Sequence, residues 1–247
     1  MRTVAQLRML TCAAALVLAL AAAELAGAVP LITNGGFESG FTGWTIADAL
    51  GSDGTFFLQS GTASPLNADP VPSPPGGTTA AMTDAQGPGS HALYQDLVVP
   101  TSLGSAVLTF DLFIGNRAED FFTPSPASLD FSTPALNQQV RVDILLAGTD
   151  PFSVSSSDVL LNLLQTNPGD PLISGYTSHS ADLTALLNAS VGQTLRLRFA
   201  ETDNVLIFQA GVDNVSLDVQ PIPEPNTLLL VGISLTGIVA FRRNLRN

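Results

Sequence analysis

The stretch "AVLTFDLFI" (106–114) decides the fold class of this chain. Its apolar residues fall on every second position from Ala106 to Ile114, while Thr109 and Asp111 fall between them. Side chains of a β-strand point alternately to two faces, so this spacing gives a strand with one apolar face. Three more stretches alternate in the same way: "LYQDLVV" (93–99), "QVRVDILL" (139–146) and "TLRLRFAE" (194–201).

Six strands are predicted from this pattern, at 80–83, 92–99, 106–114, 139–146, 194–201 and 212–219. Gly, Pro, Asn, Asp and Ser separate them, which is typical of turns between strands. One helical turn is predicted near Leu183 and Leu187, capped by Ser180 or Asp182. We therefore expect an all-β protein, an antiparallel β-sandwich. Asp111 and Asp143 lie at polar positions of alternating strands, and we expect both to face solvent.

The composition excludes one large class of partner. The 247 residues carry a net charge of −12, and all 9 basic residues are arginines. Nucleic acid is not an expected partner, because binding it requires Lys and Arg to neutralise phosphates. The single cysteine, Cys12, lies in an N-terminal apolar run, so the rest of the chain offers no disulfide or cysteine metal site.

The first 28 residues have the plan of a secretory signal peptide. Two arginines begin the segment, an Ala/Leu-rich run follows, and Ala26 and Ala28 supply the small residues of a cleavage site. We expect signal peptidase to cut after Ala28. A membrane anchor is the alternative interpretation, but the apolar run is short for one.

The C-terminus holds a second targeting signal. Pro223, Glu224 and Pro225 precede an apolar run that begins at Thr227 and ends at Phe241, where Arg242 and Arg243 follow. As a helix this run spans about 23 Å, less than the roughly 30 Å of a bilayer core. Such a short span favours a transient inner-membrane anchor, with the domain outside and the arginines at the cytoplasmic headgroups. An ordinary single-pass anchor is the alternative.

These three elements resemble the PEP-CTERM sorting signal of exported bacterial proteins. The resemblance covers the last 25 or so residues and implies recognition by an exosortase, which cleaves at or near Pro-Glu-Pro. It also implies export to the cell surface or extracellular matrix, where exopolysaccharide and biofilm are made. The expected organisation is a signal peptide (1–28), a β-sandwich ectodomain (29–220) and a sorting signal (221–247).

Two motifs at the ends of the ectodomain carry a second resemblance. "NGGFESGFTGW" (34–44) opens the domain and "GVDNVSLDV" (211–219) closes it. The pair resembles galactose-binding-like jelly rolls, which include many carbohydrate-binding modules. The resemblance implies that the first and last strands lie together and hold a structural Ca²⁺, with Glu38 and Asp213 as candidate ligands. Ca²⁺ prefers carboxylate and carbonyl oxygens; the alternative is that both residues only cap turns.

Aromatic residues are the candidates for sugar contact. Trp44, Tyr94 and Tyr176 are considered as glycan-binding residues, because an aromatic ring covers the apolar face of a sugar. Trp44 follows a turn and is expected to pack in the core instead, and both tyrosines also fit ordinary strands.

No catalytic constellation is found. The sequence has no His-Glu-x-x-His and no Gly-x-Ser-x-Gly. Ser90 and His91 are neighbours, but strand neighbours point to opposite faces. We expect a non-enzymatic surface or matrix protein; a carbohydrate-binding module with a defined glycan site is the alternative, and an unidentified hydrolase is third.

Overall fold

The computed structural model describes residues 28–222. The predicted signal peptide up to Gly27, the Pro-Glu-Pro motif and the anchor lie outside these described residues. Residues Val29–Val219 form one compact unit. Within residues 28–222, no helix is long and apolar enough to cross a membrane.

The described chain forms eleven strands and one short helix. The strands are β1 (Val29–Pro30), β2 (Thr45–Asp48), β3 (Thr55–Gln59), β4 (Ala80–Asp84), β5 (Gly89–Val98), β6 (Ser105–Asn116), β7 (Gln138–Leu146), β8 (Val159–Gln165), β9 (Thr177–Asp182), β10 (Thr194–Asp203) and β11 (Phe208–Gln220). The helix α1 (Thr184–Ala189) buries Leu187, and the carboxylate of Asp182 accepts a hydrogen bond from the Thr184 N–H at 2.8 Å.

Two antiparallel sheets make the sandwich that the sequence predicts. The first, sheet A, has the order β3-β4-β11-β6-β9, with β1 also paired to β11. The second, sheet B, has the order β2-β5-β10-β7-β8. From β4 to β7 each strand crosses to the other sheet, as in jelly rolls. The predicted antiparallel β-sandwich is thus confirmed.

The core lies between the inner faces of the two sheets. The alternating positions of β6 and β10 supply its centre, with Leu108, Phe110, Leu197 and Phe199 each at most 3% exposed. The rings of Phe110 and Phe199 meet edge to face, with centroids 5.3 Å apart, across the two sheets. This apolar layer positions everything that follows, because the ends and outer faces of the sheets carry the polar groups.

The prediction that Asp143 faces solvent is wrong. Its side chain is fully buried, and Arg141 donates two hydrogen bonds to it, at 2.9 and 3.2 Å. The Arg198 guanidinium donates to Asp143 and also to the carbonyl oxygens of Pro151 and Ser153, both at 2.7 Å. The loop that contains those carbonyls therefore covers the outer face of sheet B, which the strand pattern alone could not reveal.

The charge of this buried group is retained because its partners are cationic. Burial acts to raise the pKa of Asp143, but the hydrogen bond from Arg141 and the charge of Arg198 outweigh it and hold that pKa below its usual value. Asp111, in contrast, is only half-buried, on the outer face of sheet A.

Candidate functional site

The opening motif folds into a tight turn that is closed by its own first residue. The side-chain amide of Asn34 donates to the Gly40 carbonyl at 2.8 Å, and the Asn34 backbone carbonyl accepts the indole N–H of Trp44 at 3.1 Å. Phe37 and Trp44 both pack inward, with ring centroids 5.3 Å apart. Glu38, which follows Phe37, is left at the surface of this turn.

The opening and closing motifs lie in direct contact. Val215 of β11 donates its backbone N–H to the Gly35 carbonyl at 3.0 Å. A Cβ at Gly35 would overlap the carbonyl oxygen of Val215, so no other residue fits here without moving a backbone. β1 pairs with the end of β11, Val29 opposite Val219. The first and last strands are therefore neighbours, as the resemblance to jelly rolls implied.

Glu38 holds the segment that precedes β4. Its Oε1 accepts the backbone N–H groups of Thr78 and Thr79, each at 2.8 Å, and its Oε2 accepts the Thr78 hydroxyl at 2.8 Å. These donors, the Thr78 N–H first, lower the pKa of Glu38 to about 2. The carboxylate is thus ionised over the whole physiological range.

Asp213 holds the same segment from the other side. Its Oδ2 accepts the Gly76 N–H at 3.0 Å, and its Oδ1 accepts the Asn214 N–H at 2.7 Å. Burial raises the pKa of Asp213 to about 6, and the negative charges of Asp111 and Glu38 add to the effect. Asp213 therefore carries a negative charge that its surroundings compensate poorly.

The structure thus brings Glu38 and Asp213 to one four-residue turn, Gly76 to Thr79. No arginine among the described residues pairs with either carboxylate. Among residues 28–222, however, no group of three or more His, Cys, Asp and Glu side chains is placed to hold a metal ion. A cation here would need backbone carbonyls or hydroxyls beside the two carboxylates, which is the kind of mixed oxygen set that Ca²⁺ accepts.

Asp111 extends this polar surface across sheet A. It accepts the side-chain amide of Asn214 at 2.7 Å and the hydroxyl of Ser178 from β9. These groups line a shallow depression on the outer face of sheet A. No pattern in the sequence indicates this cluster, because Asp111, Ser178 and Asn214 come from three strands far apart in the chain.

The three aromatic candidates for glycan contact are placed apart from one another. Trp44 is 7% exposed and lies in the core. Tyr94 is half-buried on the outer face of sheet B, where the guanidinium of Arg196 stacks 3.8 Å from its ring centroid. Tyr176 lies against Phe113 on sheet A and donates to the Gln59 side chain at 3.0 Å; burial raises the pKa of its hydroxyl. No common aromatic platform joins them.

Neither Ser90 nor His91 is exposed, and the two side chains point to opposite faces of β5. The His91 Nδ1 pairs with the Asp48 carboxylate at 2.7 Å, and Glu201 lies opposite His91 in the β5–β10 ladder. Burial raises the pKa of Glu201 well above its usual value, and it raises the pKa of Asp203 to about 7. This buried polar end of the sheet was missed in the sequence, since the residues occupy positions that the alternating pattern assigns to the core.

Residues 221–244 match the model of the PEP-CTERM protein-sorting motif. The chain therefore carries the sorting motif of exported, exosortase-processed proteins, as the Pro-Glu-Pro, apolar run and arginines predict. The match begins directly after β11, which ends at Gln220. No curated protein sequence matches the chain.

Several solved β-sandwich structures are similar in part. The K3 adhesin domain of Lys-gingipain from Porphyromonas gingivalis is 17% identical, with 78% of this chain and 99% of that chain covered and a TM-score of 0.46. A family 61 carbohydrate-binding module solved with β-1,4-galactotriose is 12% identical, with 76% of this chain and 97% of that chain covered and a TM-score of 0.43. A Stig cyclase from Fischerella sp. TAU is 20% identical, with 78% of this chain and 98% of that chain covered and a TM-score of 0.45. At such scores these similarities support no statement about activity.

Proposed function

We propose that this chain is an exported, non-enzymatic protein of the cell surface or extracellular matrix, associated with exopolysaccharide or biofilm. The PEP-CTERM motif at 221–244 is the observation that carries the proposal. Signal peptidase would release residues up to Ala28, the tail would hold the protein in the inner membrane for a time, and an exosortase would then process it at or near Pro223-Glu224-Pro225. The domains would be those expected from the sequence, 1–28, 29–220 and 221–247.

A non-enzymatic role agrees with the state of the candidate catalytic groups. His91 and Glu201 are buried in the sandwich, and the surface carboxylate Glu38 is occupied by four hydrogen bonds from Thr78 and Thr79. Each of these groups has a structural partner or no access to solvent. The hydrolase alternative would need a different pair of carboxylates, and nothing in the described fold favours one.

The sorting proposal is tested by changing Pro223, Glu224 and Pro225 together to alanine. We expect the altered protein to stay in the inner membrane at full length, because the exosortase would no longer recognise its substrate. Cell fractionation with an antibody against the ectodomain makes the measurement. Wild-type distribution of the triple variant would contradict the proposal; a matched control is the change of Pro221, which stands two residues before the Pro-Glu-Pro, to alanine.

We also propose that Glu38 and Asp213 hold a structural Ca²⁺ between the opening turn and β11. Two observations support this proposal. Both carboxylates accept hydrogen bonds from the same short turn, and neither has an arginine partner among the described residues. The pKa of Asp213 is raised, and a bound cation would lower it again. The ion would supply positive charge beside the carboxylates of Glu38, Asp111 and Asp213. Glu38 and Asp213 would remain ionised beside it, and the turn from Gly76 to Thr79 would be fixed against both ends of the domain.

A further inference from the structure

A groove lies on the outer face of sheet A, above the end of β6. It has a volume of about 370 Å³, within the size range of small-ligand sites. One wall is the loop that carries Val71 and Pro72, and the other is the segment around Ile173. Short backbone bridges hold both walls: Ala63 pairs with Pro70, and Gly115 pairs with Ile173. The groove is therefore built from ordered backbone on both sides.

The walls and floor of the groove are largely apolar. Val71 and Phe113 form its base and are 6% and 3% exposed, while Ile173 at the rim is 61% exposed. Surfaces of this kind suit the C–H face of a pyranose ring, which needs flat apolar contact and leaves its hydroxyls free.

A single accessible positive charge stands at the rim. The side chain of Arg117 is 39% exposed, and its nearest carboxylate, Asp69, is 3.8 Å away. The other three arginines of residues 28–222 are at most 8% exposed and are occupied by Asp96 or Asp143. Arg117 is thus the one arginine of residues 28–222 whose guanidinium no carboxylate meets at hydrogen-bonding distance, so its donors remain open to an anionic ligand.

A buried acceptor that has no partner lies beneath the groove, beside Gly115. Gln209 of β11 is fully buried, and its side-chain amide N–H donates to Asp69 at 2.9 Å. Its Oε1 has no hydrogen-bond partner among the described residues. A Cβ at Gly115 would lie 3.2 Å from this oxygen and 2.9 Å from the Phe113 ring, so Gly115, which lines the groove, lies next to the buried oxygen. An unmet buried acceptor is costly, and a ligand hydroxyl would satisfy it.

We propose that this groove binds a hexuronate residue of an extracellular polysaccharide. The sugar's C–H face would pack on Val71, Phe113 and Ile173, and its carboxylate would accept hydrogen bonds from Arg117. After a small displacement of the floor at Gly115, one hydroxyl would donate to the Gln209 Oε1. The acidic surface elsewhere repels a polyanion, which concentrates binding at this groove. The inference rests on the proposed location of the protein among exported polysaccharide.

The experiment is isothermal titration calorimetry of the full-length chain in mild detergent. Tetragalacturonate is the anionic probe and cellotetraose the neutral one; a chelator is present so that calcium bridging adds nothing. We expect binding of tetragalacturonate alone, weakening as NaCl is raised, because the contact with Arg117 is charged. No binding of tetragalacturonate, or equal binding of cellotetraose, would overturn the proposal.

Three variants locate the site. Arg117→Gln should weaken tetragalacturonate binding at least about tenfold, as loss of one charged hydrogen-bonding group does. Ile173→Ala should weaken it severalfold, while the matched control Leu136→Ala, which trims an aliphatic side chain of similar exposure outside the groove, should leave it unchanged. Unaltered binding by Arg117→Gln would overturn the assignment. This measurement is made without export or sorting, so its failure is distinct from failure of the sorting proposal.

Discussion

Individual buried carboxylates in this sandwich follow two different physical rules. Asp143 is surrounded by two arginines and stays ionised, whereas Glu201 and Asp203 are buried without a paired arginine, and burial raises the pKa of each. A buried charge is tolerated only where an opposite charge and hydrogen bonds replace water. Sequence could not separate the two cases, because Arg198 comes from the neighbouring strand β10, and the loop that covers Arg198 and Asp143 is fixed only by the fold.

The raised pKa of Asp203 predicts that it makes the fold less stable as pH rises. Its folded pKa is about 7 against an ordinary 3.8, so the folded state keeps a proton that the unfolded chain releases between these values. The contribution of this proton to the free energy of unfolding is fully present below about pH 4 and is lost by about pH 7. The loss is about 4 kcal/mol at most. Asp203→Asn should remove this loss, because the amide stays neutral and its oxygen still accepts the Gly89 N–H.

Urea unfolding of the wild type and of Asp203→Asn between pH 5 and 7.5 measures the effect. As pH rises, the free energy of unfolding of the variant should increase relative to that of the wild type. Asp218→Asn, at an exposed position of β11, is the control and should follow the wild-type curve. Parallel curves for the wild type and Asp203→Asn would show that Asp203 is ionised throughout.

Among the elements, the long strands were predictable and the short edge strands were not. All six strands predicted from alternation are present as β4, β5, β6, β7, β10 and β11, each within a few residues of the expected bounds. Each has an apolar face against the core, which is the signal that alternation detects. The sequence-based prediction therefore succeeded where apolar side chains fill one face of the strand.

The strands that were missed lack that one-sided apolar pattern. β9, "TSHSAD", pairs with β6 at the edge of sheet A and is polar on most positions. β8, "VLLNLLQ", is an edge strand whose apolar residues run consecutively and whose pairing with β7 slips at two places. β1, β2 and β3 are at most five residues long. Backbone hydrogen bonds to other strands of the sheets hold these strands in place, and local sequence does not show those hydrogen bonds.

The proposed Ca²⁺ would join two elements, the opening turn and β11. We expect Ca²⁺ to raise the melting temperature by about 5–10 °C when present at a hundred times its dissociation constant. The shift should be smaller below pH 6, where Asp213 is protonated in the absence of the ion. Thermal unfolding followed by circular dichroism, with calcium or with chelator, measures it.

Variants of the two carboxylates test whether the ion is held there. Glu38→Gln and Asp213→Asn should each lose most of the calcium-induced shift, whatever their melting temperature without calcium. Asp218→Asn should keep the full shift. Equal melting temperatures of the wild type with calcium and with chelator would count against the site.

The whole molecule is expected to be shorter at its destination than the chain that is synthesised. If both ends are processed, the protein at the cell surface begins at Val29 and lacks the segment from Thr227 to Arg243. Mass spectrometry of surface-released protein should find a peptide that begins at Val29 and none that contains Phe241. Ala26→Arg should keep residues 1–28 attached, because signal peptidase requires small residues before its cleavage site. Intact Phe241 in surface protein would rule out removal of the tail.

The position of β11 has a mechanical consequence. This strand lies inside sheet A between β4 and β6 and also pairs with β1, and the sorting motif follows its last residue. Tension on the tail is therefore delivered to an interior strand rather than to an edge strand that could peel away alone. A tethered domain pulled by flow would resist as one sheet, and its closing strand would be the last piece of the fold to leave the export machinery.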